Sequence, residues 1–373
     1  MSLFAVYRIV VIREDEIVQG VLHPGLRPED PEVRSALAEW GGTHFLHQTP
    51  DGVHLTLVRP LRPRRRERWW LHVALALLSL LTTTIAGAYF AGREPLASIP
   101  LAVGAWQILV PVWPRIGELV PGLRFSVPLM VILLGHELGH YLVARRLKID
   151  ASPPYFIPAP NFLNIIGTFG AFIRLRSALV NRVMLLDVGA AGPLVSFVLS
   201  IPAVLLGLHW STPLGPVPWA GSRFVAVYAG EPLWLGSSPL FQWASELVGR
   251  GHGVLRLDPL AVAGWIGLFV TALNLFPLSQ LDGGHVVYAL FERLQRPVAW
   301  LFLLVLLALG NPQWGGWMGW WFWLGLILLL GRASVAHPPV FDPGTPVSGW
   351  RRGVGWACII IFFLTFSIVP FRL

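Results

Sequence analysis

Seven apolar stretches follow one another along the chain: 69–91, 125–144, 183–208, 259–277, 298–310, 317–330 and 353–369. A helix needs about 20 apolar residues, and at least ~17, to cross a bilayer. Most of the seven meet that length. The stretches 298–310 and 317–330 fall below it, which predicts a short helical hairpin or spans that borrow flanking residues. A further apolar run, 96–113, is broken by Pro100 and Pro111 and predicts a re-entrant or interfacial segment. Residues 1–60 have a different pattern. Apolar and polar positions alternate over 4–13 and 17–22, and 31–40 is helix-like behind Asp30 and ahead of Gly41 and Gly42. Two more strands, 43–48 and 53–58, flank Pro50, Asp51 and Gly52, a hairpin signature. The expected order of this unit is ββαββ.

The expectation is therefore a polytopic α-helical membrane protein with about seven transmembrane helices, a re-entrant or β segment, and a small N-terminal α+β cytosolic unit. It divides into 1–60 (soluble unit), 61–68 (basic juxtamembrane linker), 69–123 (first span and interfacial segment), 124–295 (membrane core) and 296–373 (C-terminal helices). Composition agrees: 54% of the 373 residues are hydrophobic and only 13% charged, where a soluble domain carries about a quarter. Eighteen tryptophans, many near the ends of apolar runs, suit an interfacial belt.

The net charge of +8 reads as topology rather than as nucleic-acid binding. Five arginines between 62 and 68 precede the first span and hold that flank in the cytosol. Counting seven crossings then places the cation-rich segments 145–182, 285–297 and 331–352 on the same side. The opposite segments 92–123 and 209–258 are electrically neutral. The N-terminal unit itself carries eight carboxylates against five arginines. No cleavable leader or transit-peptide pattern is visible at the start, so a multi-pass protein of a prokaryotic cytoplasmic membrane is expected, N-terminus cytosolic and C-terminus outside. The single Cys358 offers neither an internal disulfide nor a cysteine metal site.

Inside the second apolar stretch stand His136, Glu137 and His140. Ionisable residues cost roughly 2.5–3.5 kcal/mol each at the centre of a membrane helix and are retained mainly for function. Histidines at i and i+4 share a helix face and can grip one zinc ion while the adjoining glutamate handles a proton. Catalytic zinc takes three protein ligands and keeps one position open. Val143 and Arg146 stand where a longer H-E-x-x-H-x-x-G-x-x-H motif needs Gly and His, and no glutamate occurs between Glu137 and Glu231. The third ligand must come from elsewhere. The segment from Asn274 to His285, with Pro277, Asp282, Gly283 and Gly284, combines an acid with irregular backbone. Such backbone is tolerated at membrane depth only when buried or lining a cavity. By the charge-derived topology, Asp282 and His140 lie toward the same ends of their spans. His285 is expected to pack or to support the site rather than to bind metal. His209, His252 and His337 carry no spacing signal, and Asp187 reads as an N-cap.

Over about 125–295 the sequence resembles the site-2 proteases, polytopic zinc metalloproteases that cut transmembrane segments. The resemblance is carried by His136, Glu137 and His140, by Asn274, Pro277, Asp282 and Gly283, by Gly167 to Gly170, and by the run from Asp187 to Pro193. The spacing of the second motif is stretched relative to the compact N-P-x-P-x-x-D-G form. The N-terminal unit and the lack of a recognisable PDZ insertion look most like the branch of the ethylene-dependent gravitropism-deficient and yellow-green proteins. The resemblance implies one zinc per chain on His136, His140 and Asp282, with Glu137 as general base and acid. It further implies that Asn274 contacts substrate backbone or the developing oxyanion, and that Gly167 and Gly170 admit an extended substrate strand. Gly189 and Gly192 would let helices approach. The implied partners are transmembrane protein substrates and the lipid bilayer. Two other classes stay open: a catalytically silent membrane scaffold or transporter on the same fold, and a different polytopic zinc protease with Glu as third ligand.

Overall fold

The computed structural model describes residues 3–12, 15–49, 52–61, 67–103, 106–215, 222–330, 334–342 and 344–372. Strands β1 (Phe4–Ile12), β2 (Asp15–Leu22), β3 (Thr43–Thr49) and β4 (Gly52–Pro60) form an antiparallel sheet in the order β1-β2-β4-β3. Helix α1 (Pro31–Glu39) buries Val33 against Val18, Leu22, Leu55 and Leu57. The order of elements is the ββαββ that the alternation predicts. The turn residues 50 and 51, and residues 62–66 of the basic stretch, lie outside the described residues.

The helical part runs α2 (Trp69–Phe90), a short α3 (Ile116–Leu119), α4 (Leu123–Arg146), α5 (Arg182–Trp210), α6 (Pro239–Leu247), α7 (Pro259–Asn274), α8 (Asp282–Phe291), α9 (Gln295–Leu309), α10 (Gly319–Leu330) and α11 (Trp350–Thr365). Among the described residues three helical segments are long and apolar enough to cross a membrane: Trp69–Phe90, Ile116–Arg146 and Arg182–Trp210. The remaining apolar helices are shorter. Helix α7 has 16 residues, about 24 Å at 1.5 Å per residue. It is set off by Asp258, whose carboxylate accepts from Leu260 N at 2.9 Å, with Pro259 at the first helical position. It is buried on nearly every side, as an all-round apolar helix should be. Helices α4 and α5 meet backbone to backbone. A Cβ on Gly139 would come within 2.6 Å of the Ala191 carbonyl oxygen, so only glycine permits this crossing.

Strands β5 (Leu96–Val103) and β6 (Trp106–Pro114) pair antiparallel, so the 96–113 run is a β-hairpin rather than a helical crossing. Strands β7 (Tyr155–Pro158) and β8 (Thr168–Phe172) make a second hairpin against α2, where a β segment is expected. A part that sequence reasoning left as a loop is folded. Within 209–258, β9 (Thr212–Gly215), β10 (Phe224–Tyr228), β11 (Glu231–Leu235) and β12 (Val254–Arg256) join the C-terminal β13 (Phe371–Arg372) in the order β13-β11-β10-β12-β9. Trp265 Nε1 donates to Gly236 O at 2.7 Å and Trp320 Nε1 to Ile368 O at 2.7 Å, tying this sheet to the helices. The C-terminus and the 209–258 segment thus share one face of the molecule.

The N-terminal sheet belongs to the opposite face. Ala178 N donates to Asp15 at 3.1 Å, and Arg8 lies 4.7 Å over the Phe341 ring. Just beyond the sheet, Arg176 donates to Glu67 at 2.6 Å. That hydrogen bond holds the Arg176 guanidinium above its ordinary pKa. One expectation is corrected here. Asp187 does not cap a helix, because α5 starts five residues earlier, where Asn181 accepts from Met184 N at 2.9 Å. Asp187 sits inside α5 and takes Arg351 Nε of α11 at 2.9 and 3.1 Å.

Candidate metal centre

Helical spacing puts His136 and His140 one turn apart on the face of α4 that meets α5, and both are buried. After Asn274 the chain leaves α7, turns through Ser279 at φ 46°, and re-enters a helix at Asp282. Gly283 and Gly284 make that return possible. A Cβ on Gly283 would collide with the Leu275 carbonyl, and one on Gly284 with that of Ser279. The first residue of α8 is thereby delivered to the two imidazoles. Asp282 Oδ2 is 3.3 Å from His136 Nε2 and 3.2 Å from His140 Nε2, and the two Nε2 atoms are 3.1 Å apart.

These three distances match a tetrahedron's edge. With ligand bonds of about 2.0–2.1 Å, tetrahedral donors stand roughly 3.3 Å apart. Both rings have their other nitrogen engaged. His140 Nδ1 is 2.7 Å from Val188 O, so it carries the proton and leaves Nε2 as a lone-pair donor. His136 Nδ1 is 3.1 Å from Ser196 Oγ, which is 2.8 Å from Thr271 Oγ1, which donates to Gly267 O at 2.8 Å. Because a carbonyl ends that chain, a proton on His136 Nδ1 satisfies every member of it, and Nε2 is again the free donor. Two imidazole nitrogens and a carboxylate, aimed at one point with their protons turned away, fit a zinc ion. Gly192 completes the cradle: a Cβ there would fall on the His140 ring.

Glu137 is buried beside the triad, with the Ile173 backbone against its carboxylate. Asn274 Nδ2 is 3.4 Å from His136 Nε2, within reach of the same space. His136, Glu137, His140, Asn274 and Asp282 are therefore brought together. The glycines behave differently. Gly167, at φ 85°, meets the α2 backbone at Thr82, so the close approach there is made by the protein itself; Gly170, at φ 100°, has open space on its Cβ side. Sequence reasoning missed Ser196, Thr271 and the Val188 carbonyl. The available signal was a hydroxyl in each of two apolar spans, which needs a partner in the bundle interior. It also gave no partner to His337, whose Nε2 is 2.8 Å from His285 Nδ1.

Residues 124–308 match the family model for peptidase family M50. The Arabidopsis thaliana protein named "Probable zinc metalloprotease EGY1, chloroplastic" is 32% identical over 265 residues, which cover 68% of this chain and 44% of that protein. The Oryza sativa subsp. japonica protein of the same name is 30% identical, covering 69% and 43%. The Arabidopsis thaliana protein named "Probable zinc metalloprotease EGY2, chloroplastic" is 31% identical, covering 61% and 39%. The chain thus spans less than half the length of these relatives. No solved structure shows a significant match. On the M50 match across the segment that holds the triad, and on relatives sharing about two thirds of its length, the chain belongs to peptidase family M50, the site-2 protease family.

Proposed function

We propose that the chain is an intramembrane zinc metalloendopeptidase that hydrolyses peptide bonds in or near transmembrane segments of membrane proteins. The observation that carries this reading is the triangle of His136 Nε2, His140 Nε2 and Asp282 Oδ2 beside an intact Glu137. A silent scaffold has no use for a proton acceptor next to a metal site, which disfavours that alternative. The glutamate-ligand alternative loses its basis, since Asp282 fills the third corner.

His136, His140 and Asp282 would hold a zinc ion, which would supply Lewis acidity to the scissile carbonyl and to a water whose pKa would fall to about 7. Glu137 takes the proton of the attacking water as its oxygen bonds to the carbonyl carbon, then returns that proton to the amine as the C–N bond breaks. Asn274 donates to the oxygen on which charge develops. Ser196 and the Val188 carbonyl hold the two imidazoles in the binding tautomer. The open side of Gly170 on β8 is available to an extended substrate strand.

The same proposal includes seven crossings, with the N-terminal sheet on the arginine-rich, cytosolic side and the β9–β13 sheet outside. It also includes the division of the chain at 60, 68, 123 and 295. The relatives are named as chloroplast proteins and lend no support to a prokaryotic cytoplasmic membrane. Zinc dependence tests the reading. Protein stripped with a chelator and reloaded should regain cleavage of single-span reporters at about one zinc per chain, and Asp282→Ala should lose both metal and cleavage. Full zinc and full activity in Asp282→Ala would remove the third ligand and the mechanism with it.

A further inference from the structure

On the face that carries the N-terminal sheet, a groove of about 550 Å³ opens between two segments of the chain. One wall is 172–175, the continuation of β8. It stays paired on its far side, where Ser152 N donates to Arg174 O at 3.0 Å and Arg174 N to Ser152 Oγ at 2.9 Å. The other wall is 337–341, part of the connection between α10 and α11. This strap is pinned at intervals to the elements around the metal centre. Ser279 N donates to Val335 O at 2.8 Å, His337 N to Gln295 Oε1 at 2.9 Å, Val340 N to Tyr288 Oη at 3.3 Å, and Asp342 N to Val180 O at 2.8 Å.

Two features keep the walls apart. The pins fix the strap from behind. At its centre stand Pro338 and Pro339, both exposed, which have no N–H to offer the facing strand. The strap therefore runs beside 172–175, and its prolines offer that wall no N–H. The groove adjoins the candidate active site. Ile173, in its wall, lies against Glu137, and Gln280 and His285 in its lining flank Asp282 in sequence. Leu175, Leu179 and Leu185 supply apolar lining. Among the described residues that line it, Arg174 is the one formally charged side chain and none is a carboxylate.

We propose that this groove receives about four residues of the substrate in extended form, the juxtamembrane flank next to the scissile bond. Four residues at about 3.3 Å each span roughly 13 Å, the length of the facing walls. This rests on the peptidase reading above. The occupant is polypeptide because one long wall continues strand β8 and starts beside the proton-handling glutamate, while two prolines line the other. Its side chains are apolar where they face the leucines and neutral or acidic where they face Arg174. Selectivity would thus be exerted outside the membrane-embedded part of the substrate.

The test uses the full chain in proteoliposomes with pooled single-span reporters. Five residues are randomised either on the flank facing the N-terminal sheet or on the opposite flank, and cleaved products are sequenced by mass spectrometry. The wild type should enrich acidic over basic residues about fivefold at one position of the near flank, the upper range for one exposed charge pair, and show no preference on the far flank. Arg174→Glu should invert that preference, and Pro339→Asp should create a new preference for Lys and Arg, with zinc content reporting that each variant is folded. Cleavage without near-flank selectivity, or selectivity indifferent to both variants, overturns the proposal and leaves the peptidase reading standing. If neither variant folds, the wild-type pools alone decide. If no reporter is cleaved by zinc-loaded protein, the peptidase reading fails and the groove assignment falls with it.

Discussion

Substituting Gly192 by alanine should damage the metal centre while leaving every proposed ligand residue in the sequence. A Cβ built on Gly192 falls closest to His140 Nε2 itself and stands 2.6 Å from Cδ2 and 2.7 Å from Cε1, where ordinary carbon contacts begin near 3.5 Å. The ring must therefore withdraw by at least roughly 0.9 Å, or α5 must move away from α4 by as much. Neither retreat is easy. Withdrawal would stretch the 2.7 Å bond to Val188 O toward 3.6 Å, past hydrogen-bonding range. It would also take Nε2 off a triangle whose ligand distances tolerate about ±0.2 Å. Moving α5 would break the close crossing at Gly139 and Ala191. Overpacking of this kind costs about 1–3 kcal/mol, and losing the support of a ligand histidine typically lowers metal affinity 10–100-fold. Zinc competition against a chelating dye in detergent should show that loss. Gly353→Ala, in α11 with open space around it, should bind zinc normally and gain up to about 1 kcal/mol of helix stability. A Gly192→Ala protein with wild-type zinc affinity and cleavage would refute the cradle.

Ser196→Ala removes the hydroxyl that orients His136 and should weaken zinc about 10-fold or more; an unchanged affinity in the same competition assay would deny Ser196 that role. With Cys358 replaced, single cysteines at Ser177 and Ser237 should label from opposite sides of the membrane, the first from the cytosol, and labelling of both from one side would overturn the proposed topology. His337 lies outside the apolar spans, and burial holds its pKa down at about 4 against an ordinary 6.5. Between those values the unfolded chain binds the extra proton, so stability should be constant above pH 6.5 and fall as pH drops toward 4, by about 3 kcal/mol in the limit. Denaturant titrations of wild type and His337→Gln at pH 7 and 4.5 should diverge accordingly, and parallel losses would exclude His337 as a cause.

The metal centre was legible in sequence because its members are chemically expensive where they stand. His136, Glu137, His140 and Asp282 interrupt apolar surroundings, and only a shared task accounts for them together. The N-terminal sheet was legible because alternation and turn residues point the same way. What stayed hidden depends on pairing between distant segments of the chain. Within 209–258 only the runs 224–228 and 231–235 around Ala229-Gly230 announce a hairpin, and the full sheet stayed hidden because its fifth strand, Phe371–Arg372, comes from the other end of the chain. The strap and Arg8 over Phe341 are likewise long-range. Asp187 was misread because the run ahead of it gives no sign that Asn181 already caps the helix.

The central claim is that Glu137 moves the proton in a peptide hydrolysis supported by the triad, and Glu137→Gln tests it most directly. Glutamine keeps the size and polarity of the side chain but cannot take a proton, and it stands outside the His136–His140–Asp282 triangle. Measured side by side on purified protein, zinc content should remain near one per chain. Cleavage of a single-span reporter should fall by about 10²–10⁴-fold. A Glu137→Gln protein that keeps its zinc and cleaves at the wild-type rate would contradict the account.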